Sequence, residues 1–118
     1  MENFEKPIEI EMLEEASEYF YALPISLQKK FLTAFEKTCS GFKGEWFSKL
    51  EGTDGIFEFR QRDSQKFYRL LAFWYGEGET KTLIVCTQGF DKKSNKTPKN
   101  EIEKAQKLKK LYYQSKDK

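Results

Sequence analysis

Two arginines, a glutamate and a pair of lysines are the residues of this chain best suited to chemistry. Arg60 and Arg69 flank the polar stretch Arg62–Lys66, which separates two alternating apolar runs. If the turn between those runs has two or four residues centred on Ser64-Gln65, Arg60 lies directly opposite Arg69. Like charges face to face on a ladder are destabilising unless a carboxylate or a bound anion neutralises them. Glu58, two residues before Arg60 and therefore on the same face, is the nearest carboxylate. The geometry predicts an Arg-Arg-Glu cluster on the open face of a sheet. It can be a structural ion-pair network or an anion site, and a three-residue turn would break it. Lys92 and Lys93 follow the last apolar run at the mouth of the same sheet, either converging on the arginines or lying in a solvated loop. Guanidiniums clamp phosphates with a rigid fork, and a lysine crowded by like charges can take up or release a proton near neutrality. Such a set fits phosphodiester chemistry with no metal and no cofactor.

Composition narrows the alternatives. The 118 residues contain no histidine, which removes the commonest general base and metal ligand and every His-based triad. Cys39 and Cys86 sit inside apolar patterns and not at motif spacing, so buried thiols are expected in place of a disulfide or metal site. No apolar run approaches a membrane span, and no basic segment leads into an apolar one as in a secretory signal. A cytoplasmic protein is expected, with no membrane contact. Charge is uneven along the chain: the first twenty residues carry seven acids and one base, and residues 89–118 carry ten bases and four acids. An anionic partner at the basic end, nucleic acid first among them, and two solvated helix faces both fit this asymmetry.

The elements that must position the cluster can be read from periodicity. Ile8, Ile10 and Met12 alternate with Glu9 and Glu11 as in an edge strand. Leu13, Ala16, Phe20 and Leu23 then recur at helical spacing until Pro24. A second helix carries Leu27, Phe31, Phe35, Cys39 and Phe42, with Ser26 as its N-cap and Gly41 as its stop. After a connector rich in Gly and Trp, the period becomes strand-like over Ile56–Arg62, Lys66–Tyr75 and Thr80–Gln88, an antiparallel meander. Thr97 as N-cap and Pro98 at the first helical position open a basic C-terminal helix with a stripe of Ile102, Ala105, Leu108 and Leu111 or Tyr112. The expected fold is α+β, one domain over residues 1–118: edge strand, helical hairpin, meander sheet, basic helix.

With these elements in order, Lys49-Leu50, Gly55–Arg60, Tyr68–Leu71 and the stretch Gly89–Ala105 together resemble the phage-derived branch of the RelE/HigB toxin superfamily. The resemblance covers nearly the whole chain and implies the RelE-like fold. It also implies a metal-independent, ribosome-dependent endoribonuclease that promotes attack of an mRNA 2′-OH on the adjacent phosphate. The implied partners are mRNA, the ribosome and a cognate helix-turn-helix antitoxin. Arg60, Arg69, Lys92 and Lys93 match the family's basic residues, the arginines stabilising the pentacoordinate phosphate and Glu58 or a lysine serving as base. Lys49, Phe90, Lys96, Lys104 and Lys107 are the expected RNA contacts, Phe90 by stacking on a base and the helical lysines by phosphate contact. Two departures stand out: Gln88 occupies a position where many relatives have histidine, and Ile56 and Glu58 stand where some branches place lysines. A ParE-like inhibitor that docks on a protein such as gyrase, and an inactive homologue acting in operon regulation, are the other functions open to such a chain.

Overall fold

The structure is a computed structural model that describes residues 8–76, 82–92 and 96–116. In chain order its elements are β1 (Glu9–Met12), α1 (Glu14–Ala22), α2 (Ile25–Cys39), β2 (Phe47–Lys49), β3 (Phe57–Arg62), β4 (Phe67–Tyr75), β5 (Leu83–Lys92) and α3 (Lys99–Lys116). The strands form one sheet in the order β1-β5-β4-β3-β2, with β1 parallel to β5 and the remaining pairs antiparallel. The expected α+β architecture is therefore present, with edge strand, helical hairpin, meander and C-terminal helix in the expected order.

Alternation along the strands divides the core in two. Phe59, Leu70, Ala72, Ile84 and Cys86 face α1 and α2, where they pack on Phe20, Phe31 and Phe35. Ile56, Leu71, Phe73 and Val85 face α3, which contributes Ala105, with Tyr112 and Tyr113 at the border. Burial of these large apolar side chains is the main drive to this arrangement. Cys39 and Cys86 are both buried thiols.

Pro24 separates the two helices as its chemistry requires, leaving Leu23 extended (φ −74°, ψ 154°). It also takes the cap position of α2, so Ser26 falls inside the first turn and is not the N-cap. Gly41 ends the helix in the left-handed region (φ 93°), with Gly41 N–H donating to Thr38 O and Phe42 N–H to Lys37 O. That reversal swings Phe42 out to 65% exposure, so it leaves the apolar stripe. The connector contains β2, whose three residues are too few for a period to register.

The last strand differs most from expectation. It runs to Lys92 and not to Gln88, because the ladder shifts between Leu71 and Ala72: Leu71 partners Gln88 while Ala72 partners Cys86. Thr87 is the extra residue of a β-bulge, which interrupts the period of two and exchanges the faces of everything after it. Before the bulge the even-numbered Ile84 and Cys86 face α1; after it Gln88, Phe90 and Lys92 face the α3 side. Thr80 and Lys81, expected in this strand, lie outside the described residues.

Candidate functional site

The pairing of β3 with β4 builds the site. A four-residue turn is held by Asp63, whose Oδ1 accepts from Gln65 N–H (2.8 Å) and Lys66 N–H (2.9 Å). Arg60 is consequently the partner of Arg69, as the turn spacing demands. Glu58 makes the juxtaposition tolerable. Its Oε2 accepts from Arg60 Nε at 2.9 Å, and its Oε1 lies 3.4 Å from Arg69 Nε. Arg69 Nη1 donates to the Tyr68 carbonyl at 3.2 Å, and its guanidinium lies over the Phe67 ring. Glu58 and Arg69 are each 2% exposed. The Arg60 side chain, at 37%, is the only one of the three that reaches solvent freely. An open-face cluster is thus corrected to a half-covered one: Thr97 bonds to Glu58, the Phe67 ring lies against Arg69, and both charged side chains are buried. Charges so buried persist only when paired, as these are.

The bulge in β5 turns Lys92 onto the same face, across from Phe67. Its Nζ donates to Thr97 Oγ1 at 3.1 Å, and that hydroxyl donates to Glu58 Oε1 at 2.9 Å. Thr97 is therefore occupied in the cluster and does not cap α3; the Pro98 carbonyl instead accepts from the N–H groups of Glu101 and Ile102. Desolvation lowers the Lys92 pKa to about 8, with Arg69 and Arg60 adding to the effect and Glu58 opposing it. Burial likewise lowers the pKa of Arg69, helped by Arg60 and opposed by Glu58. One amine is thereby able to exchange a proton near neutral pH beside two guanidiniums.

Gln88, one of the two departures from the family pattern expected from the sequence, lies on β5 beside the start of α3. It is 2% exposed, and its amide donates to the Glu101 carbonyl (2.8 Å) and carboxylate (3.2 Å). It therefore pins the first turn of α3. Lys93 lies outside the described residues. Phe90, paired across from Arg69, packs against the α3-side core. Lys96 is exposed just before Thr97. Lys49 is not brought to the cluster: it partners Phe57, whose side chain shares the opposite face of the sheet. Lys104 binds Glu15 of α1 at 2.6 Å, and Lys107 stands exposed farther along the helix.

Sequence reasoning missed the walls of the site. A groove of about 460 Å³ beside the cluster is lined by Glu45, Trp46, Arg60, Gln61, Arg62, Phe67 and Arg69. Arg62 and Phe67 could have been found, since they share the parity of Arg60 and Arg69 and are partners on the ladder. Trp46 could not, because it reaches β3 from an aperiodic connector, where its carbonyl accepts from Arg60 N–H at 2.9 Å. Among the described residues, no group of three or more His, Cys, Asp or Glu side chains is placed to hold a metal ion. None of their helices is long and apolar enough to cross a membrane.

Residues 18–110 match the family described as "Phage derived protein Gp49-like (DUF891)". The chain belongs to this family. Among solved structures, its fold is similar to that of a free E. coli RelE toxin in which two arginines are replaced by alanine. The TM-score is 0.60 at 16% identity, over 84% of this chain and 94% of RelE. This Gp49-like protein accordingly has the fold of RelE. No curated protein sequence matches it.

Proposed function

We propose that this Gp49-like protein is the toxin of a type II toxin–antitoxin pair and cleaves mRNA in the ribosome by metal-free transphosphorylation. Its partners would be the mRNA-programmed ribosome and a helix-turn-helix antitoxin. The observation that carries this reading is Lys92 tied through Thr97 to Glu58, the carboxylate that also holds Arg60 and Arg69, with both guanidiniums lining an open groove. In the step envisaged, the neutral Lys92 amine takes the proton of a ribose 2′-OH. The 2′-oxygen bonds to the adjacent phosphorus, the bond from phosphorus to the 5′-oxygen breaks, and the departing oxygen is protonated by a second cation, for which Lys93 is the candidate. The products are a 2′,3′-cyclic phosphate and a 5′-hydroxyl. Arg60 and Arg69 donate to the non-bridging oxygens as negative charge grows on them.

Glu58 is a poor base here. Both of its oxygens are engaged by Arg60, Arg69 and Thr97, and it is buried. It orients the guanidiniums. Trp46 and Phe67 would offer ring faces to bases along the groove, with Arg62 close to the phosphates.

The test is to incubate ribosomes programmed with a defined mRNA with the purified protein and to map the new 5′ ends. Cuts confined to translated message, and lost with Arg60→Ala, are expected. Intact message with the folded wild-type protein would overturn the endonuclease assignment, and equal cutting by Arg60→Ala would remove Arg60 from the mechanism.

A further inference from the structure

We propose that Thr97 is the positioning residue of this site: its hydroxyl stands between Lys92 and Glu58 and keeps the lysine from pairing directly with the carboxylate. The inference rests on the reading of Lys92 as the group that accepts the proton. The hydroxyl accepts from Lys92 Nζ at 3.1 Å and donates to Glu58 Oε1 at 2.9 Å. A hydroxyl has one proton, so while it donates to Glu58 it can only accept from Lys92, and the direction of both bonds is fixed. The same Glu58 Oε1 lies 3.4 Å from Arg69 Nε, and Oε2 accepts from Arg60 Nε at 2.9 Å.

That separation changes what Lys92 can do. An ammonium in direct contact with a carboxylate is favoured in its charged form, whereas one that meets only a neutral oxygen, with guanidiniums close by, holds its proton less firmly. Among the described residues, the charged groups that act on Lys92 are Glu58 and Arg60 on β3 and Arg69 on β4. On its own strand, Asp91 turns to the other face, where Tyr19 and Lys66 hold it. At the start of α3, the Glu101 carboxylate accepts from Gln88. The depressed lysine pKa agrees with this arrangement. Thr97 is available for the task because the Pro98 carbonyl serves the first turn of α3 and Gln88 anchors that turn to β5.

The proton affinity of Lys92 can be measured without RNA, by brief acetylation with acetic anhydride over a pH series and mass spectrometry of the peptide carrying Lys92. Three substitutions are expected to differ in sign. Thr97→Ala opens room for a direct Lys92–Glu58 pair and should move the labelling midpoint up by about one unit. Thr97→Val keeps the volume but removes the acceptor, and should move the midpoint down. Thr97→Ser should leave it in place. The alkaline limb of mRNA cleavage should follow the labelling midpoint in each variant. An unmoved midpoint in folded Thr97→Ala, or the same displacement in Thr97→Ala, Thr97→Val and Thr97→Ser, overturns the proposal. If the wild-type protein cuts no mRNA, the endonuclease reading fails while the labelling result still decides the role of Thr97.

Discussion

Lys92 and Arg60 make different demands on a mutation experiment. Lys92, its pKa lowered to about 8 mainly by desolvation, has its change of charge brought close to neutral pH. As the base, it should give a cleavage rate that climbs with pH through 8 and levels off above it, because its neutral form accumulates in that window. Lys92→Met should flatten this limb and cost roughly 10²–10⁴-fold in rate. A pH profile of single-turnover cleavage checks both statements, and a limb that persists in Lys92→Met would assign the titration to another group. Arg60→Ala should cost about 10²–10³-fold with little loss of stability, since Arg60 is partly in solvent and acts on developing charge. Glu58→Gln should act the other way. It leaves the buried Arg69 without its carboxylate and should lower stability by about 3–5 kcal/mol, read from denaturant unfolding. The Arg60–Arg69–Glu58 cluster was legible in the sequence because strand side chains alternate strictly and Asp63 fixes the turn. The role of Thr97 was not, because a threonine before a proline at a helix start has the same pattern whether it caps the helix or serves a neighbouring strand.

At the scale of elements, the meander and the three helices followed from periodicity, and what periodicity cannot register was lost. The bulge at Thr87 is the clearest case. An alternating pattern that skips one residue looks like a strand that ends, so Phe90 and Lys92 were expected after β5 when they lie within it. The bulge is what puts Lys92 on the face of Arg69. Gly89 shows how tightly this segment is held. A Cβ there would collide with the ring of Tyr19, whose hydroxyl donates to Asp91 Oδ1 at 2.6 Å and lies 3.1 Å from the Phe90 carbonyl. Gly89→Ala should therefore destabilise the protein by about 1–3 kcal/mol through overpacking. Adding Tyr19→Ala should relieve the collision, so that the two losses are less than additive in unfolding midpoints. Strict additivity would show that α1 yields to the new methyl group without strain.

The whole molecule places its acids and bases on different elements, and contacts between them reduce what the overall charge implies for RNA. The acidic N-terminal region supplies β1 and α1, and the basic C-terminal region supplies α3. Some α3 lysines are already committed inside the fold: Lys104 to Glu15, and Lys109 to the Asp54 carbonyl at 2.7 Å. Lys107 and Lys110 are exposed on the same helix and line an open surface with Tyr113. If α3 meets phosphates, these two should carry the electrostatic share of affinity while Lys104 contributes to the docking of α3 on α1. Lys107→Glu with Lys110→Glu should weaken binding to single-stranded RNA. It should also flatten the dependence of log affinity on log salt by roughly 0.7 for each phosphate contact removed. Lys104→Glu should leave that slope nearly unchanged and lower stability slightly, because it sets a like charge against Glu15. Salt titrations of binding by fluorescence anisotropy separate the two classes. An unchanged slope in the double variant would locate the RNA on the groove of Arg60, Arg62 and Trp46 alone, with α3 serving only to close the core above it.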